Sequence, residues 1–250
     1  MSQEDQSYVG QEMELTEHIG ELRKRLLWTL FIFLLFFIGG FVFVKEIYSF
    51  FTRNLDFQLV VLSPGEIMWI YIMIASVIGI TATIPFFCFQ AWLFVRPGLT
   101  KKERNVTLMY IPAVFLLFIG GLSFGYFVIQ EFIFSFLISL GEDMFANMFT
   151  AGKYFRFVLS TTLPFALFFE VPLIAMFLTS LGIIDPHKMR KVRKYAYFVL
   201  IILGTMLSPP DFLLQLLVAA PLIVLYEIAI IMSGVVYRRK VAENEQVPVE

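Results

Sequence analysis

Six apolar stretches, each long enough or nearly long enough to cross a bilayer, occupy most of this chain, and two of them contain a glutamate. They are residues 26–44, 67–95, 105–130, 157–184, 195–208 and 212–237. A spanning helix needs roughly 20 apolar residues, and a helix satisfies its own backbone hydrogen bonds in hydrocarbon. Composition agrees: 59% hydrophobic residues and a mean hydropathy of +0.80 leave too little polar surface for a water-soluble globule. The runs are continuous rather than alternating, which argues against a β-barrel. The expected fold is therefore all-α, a polytopic membrane protein with six transmembrane helices.

Orientation follows from the basic residues. Fifteen of the 19 Lys and Arg flank one set of span ends: Arg23–Arg25, the 96–104 loop, the 188–194 loop and Arg238–Lys240. The excess places that set in the cytoplasm, so both termini are expected inside. The N-terminal segment is acidic before its basic cluster, and no small-residue cleavage pattern follows. It reads as an anchor rather than a removed signal peptide. Residues 1–25 then form a cytoplasmic arm, amphipathic from Leu15 onward, with Leu15, Ile19, Leu22 and Leu26 at helical spacing. Residues 26–237 form the membrane domain, and 238–250 a disordered tail. The outer loops 45–66 and 131–156 are expected to cap the outer face. The fifth span is anomalous, since its 14 residues cover only about 21 Å of a hydrocarbon core about 30 Å thick. The fifth and sixth spans are accordingly expected to be short, in a locally thinned bilayer, unless Arg193 and Lys194 extend the fifth by snorkelling.

Several chemistries lack their residues. Cys88 is the single cysteine, so no internal disulfide can form. Neither His18 nor His187 lies in a span, and there is no HExxH motif or phosphate-cradling glycine loop. No metal, cofactor, nucleic acid or catalytic constellation is expected, and the chain does not read as a chemical enzyme.

Function must then sit in the few polar groups. Glu170 lies near the middle of the fourth span, where a carboxylate costs roughly 2.5–3.5 kcal/mol on insertion scales. Pro164 and Pro172 flank it, and proline frees backbone carbonyls that can partner it. Glu227 lies nearer the cytoplasmic end of the last span, where a basic loop can reach it. Gln90 and Gln215 are further intramembrane polar groups, suited to interhelical hydrogen bonds, and Gly121-x-x-x-Gly125 suits close helix packing. At the cytoplasmic rim, Glu21 precedes Arg23-Lys24-Arg25, and Glu103 sits between Lys102 and Arg104. One reading is local pairing, since Glu21 and Arg25 are i, i+4 in the favourable order. The other is capture of a cationic ligand, because guanidinium binds carboxylate through two parallel hydrogen bonds that lysine cannot copy.

At these residues the chain resembles the TatC family, the multispanning subunit of the Sec-independent, twin-arginine protein translocase. The resemblance rests on His18–Leu27, Gln90–Arg104, Phe169-Glu170-Val171-Pro172, Arg190–Tyr195 and Ser208-Pro209-Pro210-Asp211, in order. It implies a receptor for folded precursors carrying twin-arginine signal peptides, driven by the proton-motive force in the bacterial cytoplasmic membrane. Glu21 and Glu103 match positions implicated in recognising the arginines, and Arg23, Phe94, Pro97, Leu99 and Arg104 fall on the same surface. Glu170 matches the membrane-embedded glutamate, and Asp211 an outer-face acidic residue. The implied partners are the single-span subunits TatA and TatB, near Met206, Ser208 and Gln215, with membrane lipid and further copies of this chain. Two departures stand out: Ser208 replaces the commoner threonine, and Asn105 stands where a second basic residue is frequent. The alternative is a proton- or cation-coupled small-solute transporter, which an intramembrane Glu between prolines also fits. That class usually shows an internal repeat, and none is evident. A third reading, a scaffold for partner helices, would not need Glu21 and Glu103.

Overall fold

The computed structural model describes residues 3–53, 55, 57–96, 108–141, 148–208 and 211–245; side chains are described from Ile19 onward, without 239, 240 and 242–245. Among these residues the regular elements are all helices, apart from one isolated β-bridge. α1 (Gln3–Gly40) continues through a 3-10 turn (Phe41–Phe43) into α2 (Val44–Thr52). There follow α3 (Pro64–Val95), α4 (Tyr110–Phe124), a π-helical turn (Gly125–Gln130) and α5 (Glu131–Gly141). The rest comprises α6 (Ala151–Phe168), α7 (Val171–Ser180), α8 (Pro186–Lys191), α9 (Arg193–Leu207) and α10 (Phe212–Glu245). Among the described residues, five helical segments are long and apolar enough to cross a membrane: Ile19–Thr52, Pro64–Val95, Tyr110–Gly141, Ala151–Ser180 and Phe212–Arg238.

Several boundaries differ from the sequence expectation, and one is the outer loop 45–66, whose first part is helical in α2. Residues 131–156, expected as a long loop, are mostly helix: α5 runs to Gly141 and α6 starts at Ala151. The phenylalanines responsible are not loop residues. Phe134 packs its ring against Phe57, Phe149, Tyr154 and Phe157 and Ile133 is fully buried, so one face of the helix packs on the fold while Phe132 and Leu140 stay exposed. The sixth segment is not short, because Pro221 lies inside α10 without ending it. Only α9, with 15 residues, is too short for a normal bilayer, at about 22 Å. α10 also continues to Glu245, past the boundary at 237; residues 246–250 lie outside the described residues. At the other terminus, the backbone of α1 is helical without a break between arm and span.

Antiparallel packing gathers the basic flanks at one end, called here the basic end. Arg25 of α1 reaches Gln90 of α3 there, and Arg193 of α9 reaches Glu227 of α10. Small residues let the backbones meet. A Cβ on Gly79 would lie 3.1–3.2 Å from Phe33 and Phe37 of α1, and one on Gly121 only 2.7 Å from the Ala166 Cα. One core cluster joins Val44, Ile70, Ile74, Ala75, Phe155 and Val158. The other joins Ile129, Ile133 and Phe165 to Leu214, Val218 and Leu222 of α10. α7 ends at Gly182, whose φ of 78° is the left-handed conformation that glycine adopts without strain. Asp185 then caps α8, accepting the His187 N–H at 2.8 Å. That hydrogen bond holds its carboxyl below the usual carboxylate range.

The end opposite the basic end is fastened by one carboxylate. Glu66, in the first turn of α3, accepts the Leu62 N–H at 2.9 Å and the Gly152 N–H at 2.7 Å. A parallel bridge flanks it, with Val60 N–H donating to Phe149 O at 3.0 Å and Ala151 N–H to Val60 O at 2.9 Å. Tyr154 adds its hydroxyl to Phe51 O at 3.0 Å. The segment after α2 is thereby tied to the start of α6. Ser63-x-x-Glu66 has the spacing of a capping box, but the glutamate takes the Leu62 N–H just before the cap and, across the fold, that of Gly152.

Candidate functional site

The expected recognition residues sit at the basic end, on α1 and α3. Glu21 and Arg25 lie one helical turn apart, and Arg25 Nε donates to Glu21 Oε1 at 3.1 Å, with Nη2 bonded to the same oxygen. Arg25 Nη1 donates to Gln90 Oε1 at 3.3 Å. One guanidinium therefore links the Glu21 carboxylate to the neighbouring helix. Arg23 lines a surface groove of about 440 Å³ with Gly20, Lys24, Leu27, Trp28 and Phe31. Its walls combine cationic heads with apolar bodies. Phe94 is half-buried in the last turn of α3, two residues from Trp92, over which the Arg96 guanidinium stacks at 5.7 Å. Pro97, Leu99, Glu103 and Arg104 lie outside the described residues, and with them the expected pairing of Glu21 with Glu103.

Glu170 sits at the break between α6 and α7. Pro172 has no N–H to offer the Phe168 carbonyl, so the chain turns at Phe169 and Glu170, with Glu170 N–H bonding Leu167 O at 3.1 Å. The helix resumes with Ile174 N–H on Glu170 O at 2.9 Å. Pro164 remains inside α6 and does not end it. The Glu170 side chain is 8% exposed, and neither carboxyl oxygen has a hydrogen-bond partner among the described residues. Buried carboxylates without partners are costly. Gln130 Oε1 and Thr162 Oγ1 are likewise buried and unpartnered.

The profile of the Sec-independent protein translocase protein (TatC) family matches residues 17–221. This chain belongs to the TatC family. It is 48% identical over 233 residues to TatCd of Bacillus subtilis, covering 93% of this chain and 96% of that protein. TatCy of the same organism is 41% identical, covering 91% of each. The fold agrees with a crystal structure of the twin arginine translocase receptor TatC, with a TM-score of 0.76 at 28% identity over 88% of this chain and 99% of that one. A second such structure, in DDM, has a TM-score of 0.77 at 30% identity over 86% and 99%. The chain is thus a multi-pass membrane component of a Sec-independent protein-transport system. A solute-transporter reading is set aside by this membership.

In this TatC-family chain the other intramembrane glutamate is partnered. Glu227 accepts from Arg193 Nη2 at 2.7 Å and from the Tyr197 hydroxyl at 2.5 Å. It locks the start of α9 to α10, beside a Tyr226 hydroxyl on Met189 O at 3.0 Å. Between α7 and α10, the buried Thr179 and Ser233 hydroxyls meet at 2.5 Å. α9 itself rests on α10 through Gly204, where a Cβ would lie 3.2 Å from that of Ala219. Its other faces are bare: Phe198, Val199, Ile201, Ile202 and Met206 are all exposed. Met206 and Ser208 end α9, and Gln215 opens α10. The Ser208 hydroxyl bonds its own helix at Gly204 O, 3.1 Å away.

Asp211 has a visible local task. Its Oδ1 accepts the Leu213 and Leu214 N–H groups at 2.9 and 3.1 Å, which caps α10. Asp211→Ala is expected to cost about 1 kcal/mol of stability, and Asp211→Asn only a few tenths. Comparative thermal unfolding checks this. If Asn melts as low as Ala, the charge rather than the cap is what matters.

Sequence reasoning missed the Glu66 fastening, the Thr179–Ser233 pair and the unpartnered Gln130 and Thr162. For Glu66 the capping-box spacing was a readable signal. The others are single polar residues in apolar runs, whose partners, or lack of them, depend on a neighbouring helix.

Proposed function

We propose that this chain is the twin-arginine signal-peptide receptor and core subunit of a translocase that moves folded proteins across the bacterial cytoplasmic membrane, driven by the proton-motive force. The carrying observation is the Glu21–Arg25–Gln90 linkage: a carboxylate at the end of the first span, already bonded to one guanidinium and braced against α3. A signal arginine would take the place that Arg25 holds, with Glu103 serving the second arginine. Arg23, Phe94, Pro97, Leu99 and Arg104 would form the surrounding surface. The crystal structures it resembles are of a protein described as a twin arginine translocase receptor.

The basic end then faces the cytoplasm with both termini, and residues 1–25, 26–237 and 238–250 act as arm, membrane domain and tail. α9 makes a sixth crossing, within a bilayer thinned around it. Its bare face, with Met206, Ser208 and Gln215, receives the single-span helices of TatA and TatB. Further copies of the chain complete the assembly.

The test is binding of the purified protein to an Arg-Arg signal peptide and its Lys-Lys twin. A charge-assisted bidentate bond contributes about 1.5–3 kcal/mol. The Lys-Lys peptide, and Glu21→Ala or Glu103→Ala with the Arg-Arg peptide, should therefore each bind about 10–100-fold more weakly. Equal affinity for both peptides, unmoved by either substitution, would remove the receptor assignment from this chain alone.

A further inference from the structure

The two sides of α1 differ in charge. Glu21 and Arg25 lie on the side toward α3, where Arg25 reaches Gln90. Phe33 and Phe37 continue that side and meet Gly79 of α3. Arg23 and Leu27 stand two residues before and after Arg25, each about 200° around the helix, and so face away from α3. The groove of about 440 Å³ that they line belongs to this outer side, and all six of its lining residues come from α1. It is an open surface, with no second helix over it.

Cations and apolar walls follow one another along the helix axis. Arg23 and Lys24 are exposed, and neither joins an ion pair among the described residues. Leu27, Trp28 and Phe31 come next and are each more than half exposed. The Trp28 and Phe31 rings meet edge to face at 6.0 Å. From Arg23 to Phe31 is about 12 Å along the axis. Tryptophan favours the membrane–water interface, so the two cations stand at headgroup depth and Phe31 among the upper acyl carbons. Gly20 leaves the polar end open, since a Cβ there would have nothing within 4 Å.

We propose that this side of α1 is a binding site for one anionic phospholipid, of the phosphatidylglycerol class. The phosphate sits between Arg23 and Lys24, and the neutral glycerol headgroup lies over Gly20. One acyl chain runs down Leu27, Trp28 and Phe31. Charge complementarity selects this occupant: two cations without an acidic partner attract a phosphodiester and repel the ammonium of phosphatidylethanolamine. They also repel the arginines of a twin-arginine peptide, so the two sides of α1 take ligands of opposite sign. The site does not depend on the receptor role, which uses the Glu21 side. The bound lipid fixes the start of the first span at headgroup level.

The experiment reconstitutes the full chain in nanodiscs of equal phosphatidylethanolamine and phosphatidylglycerol, transfers it to mild detergent, and weighs the retained lipid by native mass spectrometry. Wild type should keep one phosphatidylglycerol per protomer. The double variant Arg23→Gln, Lys24→Gln should lower that retention about 25-fold, about fivefold for each basic residue at a headgroup. A matched double variant at the same end of the molecule, Lys188→Gln with Lys191→Gln, should retain it like wild type. Wild type that keeps both lipids alike, or neither, overturns the proposal. Equal losses in the two double variants also overturn it, because general surface charge then holds the lipid. Basic residues also set orientation in the membrane, so Gly20→Phe, which keeps both charges and fills the polar end, gives an independent reading. It should lower retention at least fivefold, and retention like wild type overturns the site. A photoreactive side chain at position 27, introduced in cells, should capture phospholipid; capture of a protein instead overturns the choice of occupant.

Discussion

Gly121→Ala is expected to lower the melting temperature of the purified protein sharply, while Gly120→Ala, one residue away, leaves it unchanged or slightly higher. The added Cβ at 121 would stand 2.7 Å from the Ala166 Cα, 2.8 Å from the Phe165 carbonyl oxygen and 3.0 Å from the Phe169 Cβ. Two of those atoms are backbone, so no rotamer change relieves the contact. α4 and α6 must separate, and Gly125, whose own Cβ would meet Thr162 Cα at 2.9 Å, loses its neighbour at the same time. Overpacking of this kind costs typically 1–3 kcal/mol for a methyl group, and Gly121→Val should leave little folded protein. At Gly120 nothing lies within 4 Å, and alanine gains up to about 1 kcal/mol in helix propensity. Thermal unfolding of both variants in one detergent checks the contrast. Equal melting temperatures would mean that α4 and α6 do not touch through this glycine.

Glu170→Leu is expected to do the opposite to stability, while ending transport. Both Glu170 oxygens are buried without a partner among the described residues, so the folded chain carries a desolvation cost that leucine, of similar volume, removes. Replacing buried ionisable groups by apolar ones can stabilise by about 1–4 kcal/mol. Glu170→Gln should fall between, because it keeps unpartnered polar atoms but no charge. If Glu170→Leu instead unfolds more readily than wild type, the carboxyl has a partner in the isolated protein and is a structural hydrogen bond. If it is stabilised and still exports precursors normally, the glutamate is not the functional group that its persistence in an apolar span suggests. Either result is read directly from a melting curve and an export assay on the same variants. The physical argument for function is that an ionisable group inside an apolar span is costly and faces the bundle interior, where such groups mark functional sites.

The two intramembrane glutamates show where sequence reading stops. Both are single carboxylates in apolar runs; their positions put Glu170 between prolines and Glu227 within reach of a basic loop, but whether either finds a partner depends on the neighbouring helices. The structure gives Glu227 an arginine and a tyrosine from α9, and leaves Glu170 with no described partner. The same limit explains the loop that became helix. Residues 131–141 are polar enough at Glu131, Ser135 and Ser139 to suggest an end of the span, yet Ile133 is fully buried and Phe134 meets four aromatic neighbours. Gln130 illustrates it again. The π-helical turn over Gly125–Gln130 adds a residue to the helix repeat after the Gly121–Gly125 contact, and Gln130 ends up 2% exposed. No pattern in the residues themselves announces that turn.

The sequence alone determined the solvent, the class of fold and the family, because apolar length, basic-residue bias and short motifs are local properties that add along the chain. It also placed Glu21 and Arg25 on one helical face, since that spacing is set by the helix repeat itself. Which polar groups find partners, where α5 and α6 begin, how closely α4 approaches α6, and how Glu66 joins α3 to α6 were decided only in the tertiary structure. Each of these depends on residues far apart in sequence meeting at distances of a few ångströms. Helix packing sets those distances, and no property of either segment taken alone contains them.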